Sequence, residues 1–65
     1  MTLKQLKAFL VLARTLSYAN AANELCLSQS ALSLSIKTLE EELGGKLFKR
    51  TTRRVEITTE GLSLI

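Results

Sequence analysis

Sixty-five residues, 46% of them hydrophobic, suffice for one small folded domain and argue against a disordered segment. With no His, no Asp, a single Cys and acidic groups supplied only by Glu, the chain has no catalytic triad, no metal cluster and no acid–base pair for a cleft. The formal charge of +3 is modest, but the whole excess sits in the last third, where Lys46, Lys49, Arg50, Arg53 and Arg54 outweigh Glu56 and Glu60. Such a cluster points to a polyanion partner, with a solvated charged loop as the alternative.

Helix formers dominate and Pro is absent, so the expected class is mostly α. Thr2 can cap a first helix in which Leu3, Leu6, Phe9, Leu10 and Ala13 recur at helical spacing, with Leu12 and Leu16 widening the apolar surface. Lys4, Lys7 and Arg14 take its wetter side. The stripe is too short for a coiled coil. The longest apolar run, Ala8–Ala13, is far short of a membrane span. No small-residue cleavage site follows it, so the opening does not read as a signal peptide. The lone Cys26 can form no internal disulfide, which fits a reducing, cytoplasmic setting.

Ser17 can cap a short second helix, from Tyr18 to about Leu25, with Tyr18, Ala21, Ala22 and Leu25 facing inward. The small Ala21 and Ala22 permit another helix to approach closely. Cys26, read as a small buried hydrophobe, and Leu27 then interrupt. Ser28 caps a longer helix whose Leu32, Ile36, Leu39 and Leu43 draw one apolar stripe. A short helix, a turn of about three residues and a longer helix is helix-turn-helix spacing. Ser30, Ser33, Leu34 and Lys37 point away from the stripe. Glu40, Glu41 and Glu42 crowd the far end of this helix and would repel phosphates, so a nucleic acid could meet only its N-terminal half.

Gly44 and Gly45 supply a positive-φ stop and lack the pattern of a phosphate-binding loop. Beyond them, KLFKR and RRVEI predict a two-stranded antiparallel wing over 46–57. Its basic tip lies at 51–53, and Leu47, Phe48, Val55 and Ile57 pack on the helices. Thr58 or Thr59 can cap a last helix, in which Leu62 and Ile65 are one turn apart. A helix given only one turn reads as the start of a segment belonging to a longer protein.

The run LKQLKAFLVLA, then SYANAANELCLSQSALSLSIKTLEEELGGKLFKR, and finally TTRRVEITTEG together resemble the N-terminal domain of LysR-type transcriptional regulators. The order SQSALS, IKTLEEELG, LFKR is the most specific part. The resemblance implies a winged helix-turn-helix over residues 1–58 that binds double-stranded promoter DNA, with the helix-turn-helix itself at 18–37. It also implies a linker and dimerisation helix beginning at 59 and cut off at 65, and assembly as a homodimer or higher oligomer. A sensing domain beyond it would take a small-molecule inducer, and no cofactor is expected within these residues. Two departures matter. Ser30 stands where the family usually has Pro, which a first helical turn tolerates. Leu34 stands where Arg is common, removing a charged donor from the reading face but leaving a side chain able to touch a thymine methyl. Ser35 also replaces a longer polar residue.

On this reading Gln29 and Ser33 address base edges, Gln being able to pair bidentately with adenine. Ser28 and the free first-turn N–H groups suit a phosphate, alongside the plain capping role. Ser30 and Leu34 contact the groove by shape, and Lys37 reaches the backbone. Arg53 is the candidate for minor-groove insertion, with Arg50 and Arg54 nearer the phosphates. The alternatives are a Gln29 that is merely solvated and a wing arginine paired with Glu56 or Glu42. Tyr18 is read as a packing residue. The competing function is a winged-helix protein-interaction module without DNA binding, which Leu34 on the reading face mildly favours.

Overall fold

A computed structural model of the chain describes residues 2–51 and 54–64. Helix α1 spans Leu3–Thr15, α2 Tyr18–Leu25 and α3 Gln29–Leu43. Strands β1 (Phe48–Arg50) and β2 (Val55–Ile57) form an antiparallel hairpin, and α4 covers Thr59–Leu64. The expected mostly α winged helix-turn-helix is therefore the fold observed.

Each helix starts where a hydroxyl caps it. Thr2 forms a reciprocal capping box with Gln5, Ser17 Oγ accepts from Asn20 N–H, and Ser28 Oγ accepts from Ala31 N–H at 3.1 Å. Thr58, of the two threonines considered, caps α4 by accepting from Gly61 N–H. The stops are less uniform. Gly44 ends α3 at φ +73°, as its sequence predicts, but α1 and α2 end on left-handed Leu16 (φ 52°) and Cys26 (φ 59°). Around Cys26 the N–H groups of Cys26 and Leu27 return to the carbonyls of Asn23 and Ala22, a Schellman closure built without glycine. Cys26 is exposed, not the buried hydrophobe expected, because that conformation turns its side chain off the inner face.

The core gathers Ala8, Phe9 and Leu12 of α1, Ala21 and Ala22 of α2, and Leu32, Ile36 and Leu39 of α3. Leu47, Phe48 and Val55 of the hairpin complete it, with the Phe9 and Phe48 rings 5.5 Å apart. Three expected stripe members fall outside. Leu3, Leu10 and Leu43 stay exposed, since the small core closes around Leu12 and ends one turn short of Gly44. Ala21 and Ala22 are fully covered, as the close helix approach requires. Arg14 of α1 and Glu24 of α2 pair across the surface.

The wing is fastened from α3. Glu40 turns inward, its side chain only 12% exposed, and its Oε2 accepts from Leu47 N–H at 2.8 Å and Phe48 N–H at 3.3 Å. It thus separates from Glu41 and Glu42, with which the sequence grouped it as charge that would repel phosphates. On the other side, a Cβ on Gly61 would lie 2.5 Å from the Leu47 carbonyl oxygen and 2.6 Å from Ile57 Cγ1. Only glycine lets α4 sit this close to the hairpin.

Candidate nucleic-acid interface

Helix α3 has its buried row at Leu32, Ile36 and Leu39, and helical spacing puts Ser30, Leu34 and Lys37 nearly opposite. All three are exposed, Leu34 at 65%, and Ser33 is half-buried at the edge of that face. Gln29, Ser33 and Lys37 make one row along the helix and Ser30 and Leu34 the next, at i and i+4. The outward face therefore alternates hydrogen-bonding groups with a single large apolar one. Thr38 does not add to it, because its hydroxyl donates back to the Leu34 carbonyl.

The N-terminus of α3 is bare. Ser28 and Gln29 are both exposed, no acidic residue occupies the first turn, and the Ser28 hydroxyl oxygen accepts from the Ala31 N–H. The remaining first-turn N–H groups carry the positive end of the helix dipole. Ser28 thus fills its capping role, and because its oxygen only accepts from the Ala31 N–H, its own O–H is left to donate.

In the wing, Phe48 pairs with Ile57, Lys49 with Glu56 and Arg50 with Val55. The turn is closed by Thr51 and Arg54: Thr51 N–H donates to the Arg54 carbonyl at 2.9 Å, and Arg54 N–H donates to Thr51 Oγ1 at 3.2 Å. That leaves the Arg54 side chain exposed at the tip. Arg53 lies outside the described residues. Arg50 is exposed, and its guanidinium rests over the ring of Tyr18.

Four of the predicted groups converge unevenly. Gln29, Arg50 and Arg54 line one open depression of about 350 Å³ together with Ser17, Tyr18 and Thr51, and among the described residues no acidic one lines it. Lys37 lies elsewhere, lining a depression with Glu40, Glu41 and Lys46. Ser17, Thr51 and Tyr18 line the same depression without having been read as site residues, and Tyr18 also packs against the core as expected. Its helical position marked it as packing, and only the folded wing shows what it packs against. Burial pushes its phenol above the usual tyrosine value, Arg50 opposes the shift and Glu40 adds to it. Exposed cations beside an uncovered helix N-terminus and free amide donors can hold an anionic, hydrogen-bonding polymer. Among the described residues there is no group of three metal-ligating side chains, and no helix long and apolar enough to cross a membrane.

Residues 3–62 match the family of bacterial regulatory helix-turn-helix proteins, lysR family, and the chain belongs to it. It is 51% identical over 63 residues to the HTH-type transcriptional activator AmpR of Pseudomonas aeruginosa, a match covering 97% of this chain and 21% of that protein. Among solved structures, a LysR-family transcriptional regulator from Eggerthella lenta superposes with a TM-score of 0.93 at 34% identity, covering 98% of this chain and 91% of that one. The BenM_DBD/catB site 1 DNA complex superposes at 0.91 with 41% identity, covering 97% of this chain and 70% of its counterpart. The chain spans about a fifth of the length of the curated relatives it matches.

Proposed function

We propose that residues 1–58 form a sequence-specific DNA-binding domain of a transcriptional regulator, and that 59–65 begin a linker helix of a larger protein. The observation that carries this reading is the acid-free depression joining Gln29, at the start of α3, to Arg50 and Arg54 of the wing. The named DNA complex of a similar fold supports it. Helix α3 enters the major groove of promoter DNA, with Gln29 and Ser33 reading base edges and Ser30 and Leu34 in van der Waals contact. Ser28, Lys37, Arg50 and Arg54 hold backbone phosphates. Arg53 joins them, in the minor groove, on the sequence reading alone. The whole protein acts in the cytoplasm as a homodimer or higher homo-oligomer, with its small-molecule inducer bound to a separate sensing domain.

Selection of duplexes from a randomised library by this chain, followed by titration at several salt concentrations, tests the reading. A defined site should emerge, with affinity falling as salt rises by a log–log slope of about −0.9 per phosphate held. Gln29→Ala should keep most non-specific binding and lose preference for that site, and Arg53→Ala should shallow the slope by about 1. Failure to enrich any duplex, with binding indifferent to salt, would instead favour the protein-interaction module.

A further inference from the structure

Tyr18 opens α2 and Arg50 closes β1, and the fold brings the Arg50 guanidinium carbon to 4.2 Å from the centre of the Tyr18 ring. This is within cation–π range. Both backbones are fixed, one behind the Ser17 cap and the other by its pairing with Val55. The variable part is the long Arg50 side chain, which crosses from the wing to the helix-turn-helix along the depression shared with Gln29 and Arg54.

We propose that Tyr18 is a positioning residue for DNA binding, whose ring pre-orders Arg50 so that its guanidinium meets a backbone phosphate between the wing and the start of α3. This rests on the DNA-binding reading above and adds a residue to it. A guanidinium seated by its face on a ring keeps its edge N–H groups free for an anion, which a lysine ammonium cannot reproduce. An arginine already confined loses less side-chain freedom when the phosphate arrives. The same contact ties the wing to α2 before DNA is present, so the two halves of the interface are set at one spacing.

The test has two arms. Tyr18 is the sole tyrosine and the chain has no Trp, so absorbance titration of the phenol reports on this ring alone. Replacing the cation by Arg50→Met, which keeps a side chain over the ring, should move that titration to higher pH, since burial and Glu40 push the phenol up and the Arg50 charge opposes them. An unmoved titration would overturn the contact. In the second arm, affinity for the selected duplex is measured for Tyr18→Leu, Tyr18→Phe, Arg50→Ala and the Tyr18→Leu/Arg50→Ala pair. Tyr18→Leu should weaken binding about two- to fivefold beside Arg50 and have no further effect in the Arg50→Ala background. Tyr18→Phe, which keeps the ring, should restore binding. Additive losses, or a Tyr18→Phe as weak as Tyr18→Leu, would reduce Tyr18 to a packing residue and overturn the proposal. A wild-type chain that binds no duplex would overturn it through the reading on which it rests, with the phenol titration still separating that failure from absence of the contact.

Discussion

Leu34 stands where a polar or charged side chain would be the ordinary choice on an outward-facing helix surface, and it is 65% exposed. A leucine cannot donate to a phosphate or a base edge, so any favourable contact it makes on DNA must be apolar, and the C5-methyl of thymine is the one such group in the major groove. Replacing single thymines of the selected site by uracil removes only that methyl. At one position the swap should weaken wild-type binding about three- to fivefold, the worth of one buried methyl, and leave Leu34→Ala indifferent. Equal sensitivity of the two proteins at every thymine would exclude the contact. Cys26 makes a different point at the same scale. It holds φ 59° in the turn between α2 and α3, where a side chain costs about 1–2 kcal/mol and glycine nothing. Glycine also loosens the unfolded chain by about 0.4–1 kcal/mol, so Cys26→Gly should raise stability by about 0.5–1 kcal/mol. A higher urea midpoint at unchanged slope is the expected result. The Cys26 side chain, being exposed, leaves no cavity behind.

Helix α3 carries two jobs on two faces, and Glu40 adds a third at its C-terminal end. The carboxylate takes the N–H groups of Leu47 and Phe48, which precede and open β1, and so fixes where the wing leaves the helix. Glu40→Ala would leave two nearly covered donors without an acceptor, a cost of about 1–3 kcal/mol, and Glu40→Gln, which keeps an acceptor oxygen, should recover much of it. Urea melts of the two variants would show the ranking, and equal stability of Glu40→Ala and wild type would contradict it. The extents of the elements were legible in advance to a useful degree. Ser17 and Ser28 mark the starts of α2 and α3, and Gly44 marks a stop, because caps are local chemistry. The run Glu40–Glu41–Glu42 was not legible in the same way. Three identical charges look alike until a strand arrives beside one of them.

Across the molecule, charge is divided within the wing itself: Lys46 lies beside Glu40 and Glu41 at the end of α3, while Arg50 and Arg54 line the depression that reaches Gln29. The wing is held to the helices at separate points by the Phe9–Phe48 ring contact, the Glu40 carboxylate, the Arg50–Tyr18 contact and the close approach of Gly61. A domain of this size commands only about 3–10 kcal/mol in total, so each such tie is a sizeable share of its stability. By itself the sequence determined the order of helices, hairpin and final helix, the turn positions, the apolar centre at Phe9, Leu32, Ile36 and Leu39, and the resemblance to LysR-type regulators. These follow from periodicity, caps and motif order, which act over a few residues. Tertiary structure alone decided that Leu3, Leu10 and Leu43 stay in water, that Glu40 turns inward, and that Gly61 admits no side chain. It also decided that Tyr18 meets Arg50, 32 positions away in the chain. Each of those depends on which distant backbone closes over a given side chain, and local spacing carries no record of that.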